Sequence, residues 1–191
     1  MLDVGCGVGH LAQFFVRQKC DILCVDARKE NIDRLRLLYP GLKAQVFDIE
    51  KDSIVGLGTF DVVFAFGLLY HLENPFGALC KLGALCQELL LIKTVVSDHT
   101  LPLVVMSEET SAYSQAVDNI GCRPTPSFVA LALRSAGISN IYAPRVFPKH
   151  SDFTFSWIGD LGNSRNGHLL RCIFIASWFS IENPNLVPLL R

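Results

Sequence analysis

The sequence has almost no surplus of charge: 17 Lys and Arg stand against 18 Asp and Glu, a formal net charge of -1. A protein that neutralises nucleic-acid phosphates or docks on an anionic bilayer carries a basic surplus, and none is present. No Cys-x-x-Cys pair occurs among the cysteines at positions 6, 20, 24, 80, 86, 122 and 172, which argues against a zinc ribbon or a dithiol redox motif. Neither a Gly-x-Ser-x-Gly elbow nor a cluster at metal-ligand spacing is found, so no metal is expected. No repeat, low-complexity tract or linker divides the chain. The most membrane-like stretch, Ile54 to Leu72, contains Asp61 and a glycine turn near its start. It reads as a loop followed by a buried strand, with no membrane span expected.

Charged residues make up only 18% of the chain and hydrophobic ones 50%. A chain of 191 residues so composed forms one domain, 1–191, with a full core. The odd cysteine count, the apolar neighbours and the lack of a secretory leader predict reduced, mostly buried thiols in a cytoplasmic protein. The apolar surplus also leaves room for an exposed patch through which a homodimer would form.

Along the chain, apolar and amphipathic segments alternate. Strands are expected at Leu2–Val4, Ile22–Val25, Ala44–Phe47, Phe60–Phe66 and Glu88–Val96. Helices are expected at His10–Arg17 and Lys29–Leu38, with a third opened by Asn74 as cap and Pro75 at its first position. The run FDVVFAF is apolar on both sides, as a central parallel strand requires. This βαβ alternation predicts an α/β fold, a parallel sheet with helices on both faces. Residues 97–126 read as irregular, Ser127–Ala136 as a helix stopped by Gly137, and Ile141–Val146 with Leu169–Trp178 as a terminal antiparallel hairpin.

The chemistry is concentrated at the start, MLDVGCGVGH. Gly5, Gly7 and Gly9 lie between a strand and a helix, where the backbone approaches a ligand and helix N–H groups face it. The dinucleotide fingerprint wants glycine or alanine where His10 stands, so the spacing is G-x-G-x-G. Asp26 and Asp48 close the next two strands and suit the hydroxyls and amine of an adenosine. Asp26 alone, roughly twenty residues past the loop, suits NAD as well. Each acid has a plainer alternative, a turn or cap, and so does Asp3.

Taken in order, Asp3-x-Gly5-x-Gly7-x-Gly9, Val25-Asp26, Phe47-Asp48-Ile49 and FDVVFAFGLLYHLENP resemble the motifs of class I S-adenosylmethionine-dependent methyltransferases. The likeness covers residues 1 to about 96. It implies a Rossmann-like, mostly parallel seven-stranded sheet with an antiparallel C-terminal hairpin, and S-adenosyl-L-methionine as cofactor. By that resemblance Asp3, Gly5, Gly7 and Gly9 bind the cofactor, with Asp3, Gly5 and Gly7 at its methionine end. Asp26 takes the ribose, Asp48 and Ile49 flank the adenine, and Gly67 and Leu68 pass near the sulfonium. It also implies a helix ahead of the first strand, which the sequence is expected to lack.

An activated methyl donor needs mainly an aligned acceptor and the exclusion of water. For an oxygen or nitrogen acceptor, His71 is the candidate base, with a place in the pocket wall as its alternative. Tyr70 belongs to pocket or core. Residues 97–126 are expected to form an acceptor-side lid, with Tyr113, Asn119 and Arg123 as candidate substrate contacts. Packing, a turn and a surface charge are the respective alternatives. His99, His150 and His168 have no motif support.

The favoured partner is a small-molecule acceptor. A narrower likeness, GLLYHLENP with the later RPTPSFVALALRSAGI, is similar to wobble-uridine tRNA methyl- and carboxymethyl-transferases and would make tRNA the acceptor. The charge balance speaks against that. A module that binds the cofactor without catalysis is a further alternative, and His10 disfavours an NAD enzyme.

Overall fold

The computed structural model of the chain describes residues 1–109, 116–150, 153 and 170–189. Tyr113 and His168 lie outside the described residues. Five parallel strands form the body of the main sheet: β1 (Leu2–Val4), β2 (Leu23–Asp26), β3 (Lys43–Val46), β4 (Phe60–Phe66) and β5 (Cys86–Val96). Helices α1 (Ala12–Arg17), α2 (Lys29–Leu38) and α3 (Pro75–Leu85) make the crossovers.

After β5 come β6 (Val104–Glu108), β7 (Ile120–Pro124), α4 (Pro126–Ser135), β8 (Asn140–Pro144), β9 (Leu170–Ser177) and β10 (Leu186–Pro188). The main sheet runs β10-β8-β9-β5-β4-β1-β2-β3, with β9 antiparallel to both β5 and β8. The terminal hairpin therefore forms. A short strand not expected from the sequence, β10, pairs antiparallel with β8 and brings the sheet to eight strands.

Alternation along the strands loads both faces. Val25, Val63 and Ala65 point into the larger core with Leu79 and Leu82 of α3 and Val129 and Leu133 of α4. Cys24 and Phe64 point the other way, onto Ala12 of α1 and Leu35 of α2. Val63, Phe64 and Ala65 are all fully buried, which makes β4 the central strand that its unbroken apolar run predicts.

The cap expected at Asn74 forms, and α4 starts one residue ahead of the expected Ser127, capped by Thr125. Asn74 Oδ1 accepts from Gly77 N at 2.9 Å, and Thr125 Oγ1 accepts from Phe128 N at 3.2 Å, each ahead of a proline at the first helical position. Among the described residues, none of the seven cysteines is bridged by a disulfide. Among the described residues, no helix is long and apolar enough to cross a membrane.

One expectation is corrected. Residues 97–126 are not irregular throughout, because β6 and β7 pair antiparallel, from Val104 opposite Pro124 to Glu108 opposite Ile120. This separate two-stranded sheet lies against the one-turn 3-10 helix Leu69–His71 that follows β4.

Candidate active site

A cavity of about 480 Å³ opens where β1, β2, β3 and β4 end, the side of a parallel sheet where ligands bind. Its floor is the loop after β1. Gly5, Gly7 and Gly9 all take left-handed φ, at 74°, 54° and 83°. Gly5 N and Cys6 N donate to Val25 O at 2.8 and 3.0 Å, stitching the loop to β2. A Cβ on Gly9 would lie 2.8 Å from Leu35 Cδ1, so this glycine lets the loop pack on α2 and does not line the cavity.

Asp26 secures the same loop. Its Oδ2 accepts from Gly7 N at 2.8 Å, and its Oδ1 accepts from Arg28 N at 2.9 Å and from Asn31 Nδ2 at 3.0 Å. It caps a turn and lines the cavity at once. Asp48 and Ile49 line the cavity at the end of β3, where Asp48 Oδ1 accepts from Glu50 N at 2.9 Å. Lys81 Nζ donates to the carbonyls of Ile49, Glu50 and Asp52 at 2.7, 2.8 and 3.0 Å, which fixes the shape of that turn from below.

Asp3 is 2% exposed, and its Oδ2 has no hydrogen-bond partner among the described residues. Burial, with the charge of Asp26 adding to it, raises its carboxyl pKa to about 8. The native state therefore keeps a proton at neutral pH that the unfolded chain, with its ordinary value of 3.8, releases. The stability this group contributes is fully present below pH 4 and is lost as pH rises towards 8, at about 1.4 kcal/mol per pH unit. Asp3→Asn removes that slope. Thermal unfolding is expected to show the variant gaining on the unaltered chain from pH 5 to pH 8, and parallel curves would contradict the assignment. The Cys6 thiol, whose Sγ donates to Gly7 O at 3.4 Å, is pushed above ordinary thiol values by Cys24 beside it and by burial.

The far end of the cavity is built on the turn after β4. Gly67, at φ 81°, donates its N–H to Lys93 O at 2.8 Å, and Leu68, Tyr70 and His71 follow it into the wall. His71 Nδ1 lies 2.6 Å from Oε2 of Glu109, whose side chain is only 3% exposed. The same Oε2 accepts from Ala116 N at 2.8 Å, and Oε1 lies 3.5 Å from Arg123 Nη1. Burial pushes Glu109 up, but the His71 bond, the Ala116 N–H and the charges of His71 and Arg123 outweigh it, leaving the pKa below the ordinary value. An ionised carboxylate only accepts, so Nδ1 carries a proton and donates it to Glu109.

Glu109 was not legible in the sequence. Arg123 does not line the cavity. It braces the wall from behind, donating to Tyr70 O at 3.3 Å and Cys122 O at 2.8 Å, with its guanidinium 5.6 Å from the Tyr70 ring. Arg171 faces the same ring at 5.7 Å and, with Lys93, lines the cavity. Asn119 is a turn residue at φ 62° whose carbonyl accepts from Glu109 N, and it lies off the cavity. Gly121 sets the fit of the hairpin, since a Cβ there would stand 2.6 Å from Tyr70 O and 2.5 Å from Glu109 Oε1.

Residues 2–88 match the methyltransferase-domain family. The sheet order, the glycine loop after β1 and the acids ending β2 and β3 give the chain the Rossmann-like fold of S-adenosylmethionine-dependent methyltransferases, the class that its first half resembles. It is 33% identical over 89 residues to the ubiquinone biosynthesis O-methyltransferase of Vibrio parahaemolyticus, covering 44% of this chain and 38% of that protein. It is 27% identical over 150 residues to the tRNA U34 carboxymethyltransferase of Idiomarina loihiensis, covering 74% of this chain and 46% of that protein. The chain thus spans less than half the length of these curated relatives. The N-terminal domain of EvdMO1, crystallised with S-adenosylhomocysteine and D-fucose, superposes with a TM-score of 0.70 at 19% identity. That match covers 92% of this chain and 73% of the other and shows a shared fold.

Proposed function

We propose that this chain binds S-adenosylmethionine and transfers its methyl group to an oxygen or nitrogen of a small-molecule acceptor. The cofactor fits the residues present. Asp3 offers a buried carboxyl oxygen with no partner among the described residues, and a methionine ammonium there would replace its proton and leave a carboxylate to accept from it. The left-handed glycines leave room for a backbone approach that any Cβ would narrow. Asp26 would take the ribose, and Asp48 with Ile49 the adenine. When bound, the cofactor supplies a sulfonium-activated methyl group.

The observation that carries the reaction is the His71–Glu109 pair. Glu109 fixes the imidazole with Nδ1–H donated at 2.6 Å, which leaves Nε2 as the ring's acceptor nitrogen. A base held by a buried carboxylate is the arrangement that takes a proton from a hydroxyl or protonated amine as it becomes nucleophilic. Tyr70, its ring centroid 4.0 Å from that of His71, gives the acceptor an aromatic wall. The β6–β7 hairpin, through Glu109 and Arg123, serves as the acceptor-side cover.

A second reading has its own observation. The match to the tRNA carboxymethyltransferase extends over 150 residues, well past the cofactor half, and supports a modified uridine as acceptor. Transfer of tritium from [methyl-3H]S-adenosylmethionine to a panel of phenols, hydroxy acids and amines, run beside total tRNA, decides between them. Label in the panel is expected. Label in tRNA alone would overturn the small-molecule reading, and binding without transfer to either would leave a cofactor-binding module.

A further inference from the structure

The segment that enters β7 crosses the cavity on the side of β2 and β3. Val117 and Asp118 line it there, together with Arg28, Asp48 and Glu50. Two cations reach over to this segment from the strand ends opposite. Arg28 Nη2 donates to Ala116 O at 3.0 Å, and Lys51 Nζ donates to Asp118 Oδ2 at 2.6 Å. Ala116 itself is buried, with its N–H held by Glu109. At the other end Asn119, with φ 62°, turns the chain into β7. The segment is thus anchored at both ends and pinned from the turns after β2 and β3.

We propose that residues 116–118 are the roof of the adenosine half of the cofactor site, and that Arg28 and the Lys51–Asp118 pair hold it shut. The inference rests on the cofactor reading above, which puts the ribose at Asp26 and the adenine beside Asp48 and Ile49. It gives the return limb of the hairpin to the cofactor, whereas the acceptor end keeps Glu109, Tyr70 and His71.

The two pins differ in kind, and the difference suits a roof that must part. The Arg28 bond is charge-assisted and ends on a buried peptide, which fixes where the segment lies. Lys51 and Asp118 are half in water, at 56% and 44% side-chain exposure, so their pair is weak and screened by salt. Such a latch opens easily. Val117, an apolar residue 47% exposed at the cavity edge, gains burial once an adenine face lies against it.

Release of S-adenosylhomocysteine, followed by stopped-flow displacement, tests the roof without any acceptor. Lys51 does not line the cavity, so Lys51→Ala removes the latch and leaves the lining intact. Lys51→Ala and Asp118→Ala are each expected to speed release about threefold, with the double variant no faster than either. That comparison separates the pair from the longer contact of Lys51 with Asp48 at 3.9 Å.

Arg28→Met keeps the backbone N–H that Asp26 accepts and removes the guanidinium donor to Ala116 O, and about tenfold faster release is expected. Added salt should speed release from the unaltered chain and leave the double variant unaffected. Binding by the unaltered chain with equal release rates in every variant would overturn the roof. Failure of the unaltered chain to bind at all would overturn the cofactor reading, and the roof with it.

Discussion

Asp26→Ala is expected to weaken S-adenosylhomocysteine binding by at least about 100-fold, the cost of leaving buried donors without acceptors where ligand and loop meet. The carboxylate accepts from Gly7 N, Arg28 N and Asn31 Nδ2, so its removal strips partners from the glycine loop, the turn after β2 and α2 together. Gly7 N–H then loses its acceptor, and on the proposed reading the cofactor loses its ribose acceptor together with the shape of its floor.

Asp26→Asn is the sharper variant. The amide oxygen can serve Arg28 N and Asn31, but the amide nitrogen then faces Gly7 N–H, donor against donor. It should therefore lose nearly as much affinity as the alanine variant. Isothermal titration against both variants, with far-ultraviolet circular dichroism to confirm the fold, measures this. An asparagine variant that binds like the unaltered chain would mean that the Gly7 bond is not what shapes the site.

Most of the sheet was readable because its signals are local. Each of β1, β2 and β4 is a short apolar run closed by an acid or a glycine, and the proline-led helix α3 announces its own cap through Asn74. The loop glycines were readable as a loop. That Gly9 serves α2 packing and not the cavity depends on where Leu35 arrives, and nothing in MLDVGCGVGH reports that.

The hairpin β6–β7 was missed for a related reason. Its strands are five residues each, bounded by Pro102 and Pro124, and their pairing spans a connection with no periodicity. Glu109 stands just past β6 with no motif around it, and it becomes a functional candidate only when Gly121 lets β7 approach Tyr70 closely enough. A glycine two residues before Arg123 was the one available hint. Asn119 was singled out as polar, yet its left-handed φ explains its identity as a turn residue. β10 is three residues ending in proline, below the length at which alternation says anything.

His71→Ala is expected to slow methyl transfer by about 100- to 1,000-fold at saturating cofactor, the usual range for losing a positioned base. S-adenosylhomocysteine affinity should stay within about twofold, because the resemblance gives His71 no part in holding the cofactor and 1.4 kcal/mol would already be a tenfold change. Glu109→Gln tests the other half of the pair. The carboxylate oxygen now accepts both from Ala116 N and from His71 Nδ1, while its second oxygen faces Arg123. An amide presents one oxygen and one donor group, so either Arg123 meets an N–H it cannot accept or His71 takes that N–H on Nδ1 and gives up its Nδ1–H tautomer.

The ring would then lose its fixed tautomer and the nearby charge that stabilises the imidazolium, and transfer should fall by about tenfold or more. Transfer at the unaltered rate in Glu109→Gln would reduce Glu109 to packing. Initial rates, with the acceptor labelled by tritium transfer, measure both variants. If His71→Ala transferred methyl at the unaltered rate, the histidine would be pocket wall, and the proton would leave the acceptor by way of solvent.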